Sequence, residues 1–381
     1  MIQITIQILL FTGCFLLALL LILPCARFFG IQILSSERDS HLDGIRGIAA
    51  MMVVCCHINQ HLLSFFNLTQ YADVGNRFGL LGVEIFFGLT AYLFTKRAWQ
   101  GKFDPATFYI SRIRRIVPLY LFACLMTLVF TFYFAGVHIP KWSLFIKYCL
   151  DVISFGFISD RNLMIEGFNA KALIGVAWSL SYEWKFYLFL PVLYYLYQYS
   201  SRLAMMVCAV LFLLAARDFY EAGAVYWPFF MIGSSAAVIT SFCNVNSASI
   251  KRLFSILFWL FLSLTLFFPK FSYQHFLLLF PAFIFLLLGE PSILTIRPLV
   301  ALGRVSYSIY LLQYLVLMPV VTICWSKDIK TAGPILKFAA AYSVVCILIP
   351  FACFTYKYIE LKWLHGKPFW RRSNALESVP A

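Results

Sequence analysis

The chain has 381 residues, 62% of them hydrophobic, 19% aromatic and 12% charged, with a mean hydropathy of +0.85. Soluble domains carry about 25% charged residues, and no water-soluble core of this length hides such a surplus of apolar surface. A net charge of +14 raises nucleic acid as a partner, but the basic residues stand in short clusters between apolar runs, as anchoring at a membrane face requires. Nucleic-acid binding and a soluble globular fold are therefore set aside.

In chain order, apolar runs near the ~20 residues of a spanning helix fall at 4–28, 46–66, 78–95, 115–137, 178–198, 203–220, 224–242, 252–268, 273–289, 303–325 and 335–358. They predict an all-α, polytopic integral membrane bundle of eleven spans, of which 252–268 and 273–289 are the shortest. The run 143–159 is apolar but interrupted by Lys147 and Asp151, which predicts a segment that dips into the membrane or lies along its surface. The run 4–28 has no Lys or Arg ahead of it, and Arg27, Arg38 and Arg46 follow. It should insert with its N-terminus outside. It also lacks the basic start and cleavage site of a signal peptide. This predicts an anchor over 1–35, a main domain over 36–361 and a basic tail over 362–381.

Segment 96–115 carries Lys96, Arg97, Lys102, Arg112, Arg114 and Arg115 against Asp104 alone, and the tail is also basic. Both should face the cytoplasm. Asp104-Pro105 reads as a helix start, with Asp as the cap and Pro in the first turn. The eleven Cys form no CxxC pair and no Cys/His spacing of a metal site, so no metal is expected.

The chemistry-bearing residues begin with Leu42-Asp43-Gly44-Ile45-Arg46-Gly47 and continue to His57. Eleven helical residues separate Arg46 from His57, roughly 16 Å, which puts His57 near the midplane. An ionisable side chain there is a functional candidate; a packed, hydrogen-bonded histidine is the plain alternative. The next span holds Gly82-Val83-Glu84-Ile85-Phe86-Phe87-Gly88. Glu84 should reach a depth similar to that of His57, and a carboxylate beside a histidine fixes its tautomer and raises its basicity. An unrelated polar contact is the other reading. Trp178-Ser179-Leu180-Ser181-Tyr182-Glu183 opens a further span from the outer side, with Trp178 at the interface and Ser179 and Glu183 on one helix face. Glu183 is thus a second intramembrane acid beside a pocket opening outward, and nothing local marks Ser179 as a nucleophile. Arg112, Arg114 and Arg115 suit phosphate clamping as well as ordinary anchoring. In Leu302-Gly303-Arg304-Val305-Ser306-Tyr307-Ser308-Ile309-Tyr310-Leu311-Leu312-Gln313, Arg304 could add a phosphate contact, while Ser306, Tyr307 and Tyr310 could line a tunnel or simply pack.

Taken in order, LDGIRG with its spacing to His57, GVEIFFGLTAYL, FYISRIRRIVPLYL, WSLSYEWKFYLFLP, LGRVSYSIYLLQ and the late Tyr358-Ile359-Glu360 resemble the acyltransferase-3 family of bacterial membrane acyltransferases. The resemblance runs from about 42 to 361. It implies ten spans with both termini inside, an acyl-CoA donor bound from the cytoplasm and an acceptor reached from the periplasm. It also implies that Arg46 and His57 are essential, that Glu84 fills the acidic position of its motif, and that the Arg112–Arg115 cluster serves coenzyme A.

This chain departs from the family in three places. The run 4–28 is extra, Thr90-Ala91 replaces a usual Ser-Gly, and Gln313 stands where many members have His. The resulting expectation is transfer of an acyl, by default acetyl, group to a sugar hydroxyl of a polysaccharide or lipopolysaccharide such as O-antigen, in the bacterial inner membrane. His57, Glu84, Arg46 and Glu183 would be the catalytic set. Arg112, Arg114, Arg115 and Arg304 would hold the donor, and Trp178, Ser179 and Tyr307 the acceptor. Acyl-CoA is a substrate here, with no permanently bound cofactor; membrane lipids and an envelope glycan are the other partners. The competing readings are a transporter or flippase of an envelope glycan or lipid, and a transferase acting on a lipid or secreted small molecule.

Overall fold

A chain this apolar satisfies its backbone in lipid by forming helices, since each unpaired peptide group in hydrocarbon costs several kcal/mol. In the computed structural model the described residues are 2–33, 39–62, 72–135, 142–155, 175–176, 178–326 and 334–364, with a few positions between 157 and 169. The long helices are α1 (Ile2–Phe28), α2 (Ser40–Leu62), α3 (Ala72–Trp99), α4 (Pro105–Ala135), α6 (Trp178–Tyr199), α7 (Ser201–Ala222), α9 (Ala248–Thr265), α12 (Ser306–Ser326) and α13 (Pro334–Thr355). Shorter ones are α5 (Trp142–Ile153), α8 (Phe229–Ser241), α10 (Tyr273–Gly289), α11 (Arg297–Arg304) and α14 (Leu361–Leu364), with a π-helical turn over Tyr356–Glu360. One two-residue hairpin pairs β1 (Met164–Ile165) with β2 (Phe168–Asn169).

Each of the eleven runs predicted to span contains a helix, the run 224–242 only over Phe229–Ser241, and eight helices among the described residues are long and apolar enough to cross a membrane, Phe229–Ser241 and Tyr273–Gly289 being shorter. The protein is a polytopic helical membrane bundle. The 12-residue α5 rises only about 18 Å, short of a hydrocarbon core of ~30 Å, in keeping with the charges that interrupt it. The run 303–325 is broken at Val305: Arg304 closes α11 instead of opening the span. The proposed tail beyond 364 and most of the segment 160–177 lie outside the described residues.

The helices divide into centre and rim. In α2, 78% of the spanning window is buried, against 17% in α7 and α9. The rim helices point Met205, Val210, Leu213, Ile256 and Leu260 outward, as a lipid-facing surface requires. Because lipid tails are as apolar as leucine, close approach of small residues drives packing at the centre. A Cβ on Gly303 would collide with the Asp43 carbonyl oxygen, and one on Gly233 with that of Gly88. These contacts seat α11 on the first turns of α2 and α8 on the middle of α3. The α4 start is as the sequence predicts: Thr107 N–H donates to Asp104 Oδ2 at 2.9 Å. The Thr107 side-chain hydroxyl, and then this backbone N–H, hold the Asp104 carboxyl below its ordinary pKa.

Candidate active site

Two histidines are enclosed by the central helices, each facing one partner from a distant part of the chain. His57 Nδ1 on α2 lies 2.8 Å from Oε1 of Gln313 on α12. The Gln313 amide nitrogen donates to the Tyr310 carbonyl at 2.7 Å, so its oxygen is the atom turned toward the imidazole. An oxygen accepts only, and Nδ1 must therefore carry the proton, leaving the lone pair on Nε2. His57 is half-buried between the buried Cys56 and Ile58. The Tyr314 ring lies 4.6 Å from it, and His61 meets the same ring edge-on at 5.6 Å.

Glu84 has a different partner from the one expected. It is fully buried, with His275 Nδ1 of α10 at 2.9 Å from Oε2 and Phe271 N–H donating to Oε1 at 2.8 Å. The predicted pairing of Glu84 with His57 is not formed. Helix register gives the reason. Gly79 of α3 packs on Cys56, and Gly82 on Ala49 and Val53. Glu84 therefore sits five residues past the level of His57's neighbour, roughly 7 Å along the axis. Sequence reading missed His275, although a histidine inside an apolar run was the same signal that singled out His57.

A cavity of about 380 Å³ opens between α2, α3, α4, α6 and α12. Arg46, Arg112 and Arg115 stand on its wall with Glu183 and Asp43; Lys96, Arg97 and Gln100 stand near α3's last turn. Asp43 lies 3.4 Å from Arg46, the Tyr187 hydroxyl donates to Glu183 at 2.8 Å, and the Arg112 guanidinium lies over the Phe94 ring at 4.6 Å. Basic groups outnumber acids on this wall, so it favours an anion. At the inner end Ser179 and Tyr310 join hydroxyls at 2.8 Å, and Ser179 also donates toward the Val176 carbonyl at 3.1 Å. The Tyr307 hydroxyl, on the same wall, donates to the Ile116 carbonyl at 2.9 Å, tying α12 to α4. Tyr310 precedes Gln313 by one helical turn, so His57 lies just beyond the floor and not on the wall.

Of the predicted set, the structure brings Arg46, Arg112, Arg115, Glu183, Ser179 and Tyr307 into one cavity. Serines 179 and 181 are buried, so α6 begins inside the bundle and not at its rim. Trp178 packs with Tyr226 and Phe271, with centroids at 5.2 and 6.3 Å, away from the cavity wall. Arg114 is not on the wall either. Arg304 turns away and donates to the Gln32 carbonyl behind α1, so it braces that connection. The π-turn brings buried Glu360 onto Ser308, whose hydroxyl donates to it.

An apolar bundle with an arginine-lined cavity ending next to a tautomer-fixed histidine defines a membrane protein built around a polar, positively lined cavity. The chain belongs to the acyltransferase-3 family, whose acyltransferase-domain profile matches residues 39–355; α1 precedes the match. Three relatives illustrate the likeness. The acyltransferase MdmB of Streptomyces mycarofaciens is 31% identical over 40% of this chain and 38% of its own length. The O-acetyltransferase OatA of Staphylococcus aureus is 29% identical over 40% of this chain and 24% of its own. The putative peptidoglycan O-acetyltransferase YrhL of Bacillus subtilis is 26% identical over 49% of this chain and 28% of its own. The matches thus span well under half of those relatives. No solved structure matches the chain significantly.

Proposed function

We propose that this chain is a membrane O-acyltransferase that moves an acyl group, acetyl by default, from cytoplasmic acyl-CoA to a hydroxyl of an envelope glycan. The observation that carries the reading is the cavity whose cationic wall leads to a floor one helical turn from His57 and its fixed amide partner. Acyl-CoA is a long anion with its reactive thioester at one end. Arg46, Arg112 and Arg115 would hold phosphate by charge-assisted bonds, and the roughly 16 Å of helix from Arg46 to His57 suits a flexible arm.

In the reaction, the acceptor hydroxyl gives its proton to His57 Nε2 as its oxygen attacks the thioester carbonyl. The tetrahedral adduct then collapses, the C–S bond breaks and coenzyme A leaves as thiolate, to be protonated by the proton His57 holds. Gln313 keeps Nδ1 protonated and Nε2 basic through the cycle. Transient acylation of His57 is the variant with the same balance. The clustering of Lys96, Arg97, Arg112 and Lys251 around one end of the bundle supports that end as the cytoplasmic one, and with it goes the proposed orientation, C-terminus inside and N-terminus outside, in a bacterial inner membrane. Two of the relatives are named O-acetyltransferases, one of them for peptidoglycan. Peptidoglycan therefore joins lipopolysaccharide and other surface polysaccharides as the acceptor class.

The test exposes purified protein to radiolabelled acetyl-CoA and an envelope glycan, with wild type beside His57→Ala, and follows free thiol and labelled glycan. Transfer that depends on His57 is expected; transfer at the wild-type level by His57→Ala overturns the assignment.

A further inference from the structure

The arginine-lined cavity continues past its mouth. Asp39, Lys96 and Gln100 on its rim also form part of the wall of a second cavity of about 400 Å³. This one is bounded by the last turns of α3, the α8–α9 connection at 242–247 and the facing ends of α2, α9 and α10. The Lys96–Asp39 ion pair, at 3.8 Å, stands where the two spaces meet.

The chemistry of the two walls differs. In the first, arginines exceed acids. In the second, each lysine has an acid of its own, Lys96 with Asp39 and Lys251 with Glu290 at 2.8 Å, so little net charge is left. What this cavity offers is a flat aromatic surface and amide edges. Trp99 is held in place by Tyr197 and Phe242, with centroids at 5.2 and 6.1 Å. Exposed Asn244 and Asn246 also stand on the wall. Aromatic rings stack on nucleobases, and asparagine amides match the donor and acceptor edge of adenine. Each cavity is of ordinary ligand-site size, and their union suits a ligand with an uncharged flat end, a charged middle and a slender arm.

We propose that the second cavity is the nucleoside half of the donor site. The adenosine end of acyl-CoA lies against Trp99 with its base edge toward Asn244 and Asn246. Its 3′-phosphate sits at the junction by Lys96 and Arg97, its diphosphate lies against Arg46, Arg112 and Arg115 in the first cavity, and its pantetheine arm runs on toward Tyr310. This rests on the acyl-CoA reading and assigns to one ligand a pair of cavities that share a rim.

The experiment compares acetyl-CoA with acetyl-pantetheine, which lacks the nucleotide, in wild type, Trp99→Ala, Trp99→Phe and Ser241→Trp, the last intended to fill the cavity. Adenosine 3′,5′-bisphosphate serves as competitor. Trp99→Ala and Ser241→Trp should each raise the KM for acetyl-CoA about tenfold and shrink the preference over acetyl-pantetheine by the same factor. Trp99→Phe should restore most of that preference, and the bisphosphate should compete with acetyl-CoA in wild type far better than in Trp99→Ala. Normal acetyl-CoA turnover with the preference unchanged in both variants overturns this assignment alone. A wild type that binds neither acetyl-CoA nor the bisphosphate overturns the donor reading, and this one with it.

Discussion

Two of the bundle's histidines, His57 and His275, lie in surroundings that set them to different work. His275 is fully buried against a carboxylate that also receives the Phe271 N–H, so the pair ties α10 and the connection before it to α3. His57 faces a neutral amide and is only half-buried, and it lies just past the floor of the cationic cavity. Both histidines engage their partner through Nδ1, which leaves Nε2 for other use. That of His275 is sealed in the core, so the pair acts as a brace; His57, half-buried beside the cavity, can present Nε2 to a proton in transit. Access, more than the identity of the partner, separates structure from chemistry here.

That contrast can be broken most sharply at His57. His57→Ala should lower acyl transfer by about 10²–10⁴-fold while the detergent-solubilised protein melts at the wild-type temperature; a large loss of stability would make His57 a brace as well. Glu84→Gln should do the reverse, costing about 3–5 kcal/mol of stability by breaking a buried pair. Joint replacement, Glu84→Leu with His275→Leu, should recover part of it in thermal unfolding. A Glu84→Gln protein of full stability and no activity would move Glu84 to the chemistry. Arg115→Ala should raise the KM for acyl-CoA about tenfold or more, the worth of a charge-assisted bond, with kcat little changed. Smallest is Gln313→Met, which should lower kcat about tenfold and leave the donor KM alone. Gln313→Glu, which keeps an acceptor oxygen in place, should retain more activity than Gln313→Met.

Much of this was legible in the sequence because lipid makes helices readable from apolar length, and because a capped start such as Asp104-Pro105 is a local signal. The span from Arg46 to His57 was legible for the same reason, since both lie on one helix. Pairing between helices was not. Glu84 and His275 are 191 residues apart, and whether Glu84 meets His57 or His275 turns on how α2 and α3 slide past one another. Glycines 79 and 82 set that register only through contacts made after folding. Arg304 looked like its arginine neighbours in kind, but the break at Val305 turned it to the Gln32 carbonyl. The buried start of α6 was hidden because a Trp-Ser opening reads the same at the rim and in the core.

The hydroxyl pair of Ser179 and Tyr310 carries one more consequence. A polar hollow reaching deep into a membrane thins the insulation that holds the transmembrane voltage, worth about 2.3 kcal/mol per elementary charge at 100 mV. Most of that field then falls across whatever closes the hollow. Here the closure is two hydroxyls bonded to each other and leaning on one carbonyl, backed by the buried side chains of Ile309, Leu311 and Leu312. With acyl-CoA as the proposed donor, this closure would let a large charged ligand wait near the central histidine while the apolar side chains behind the floor keep the voltage from leaking past it.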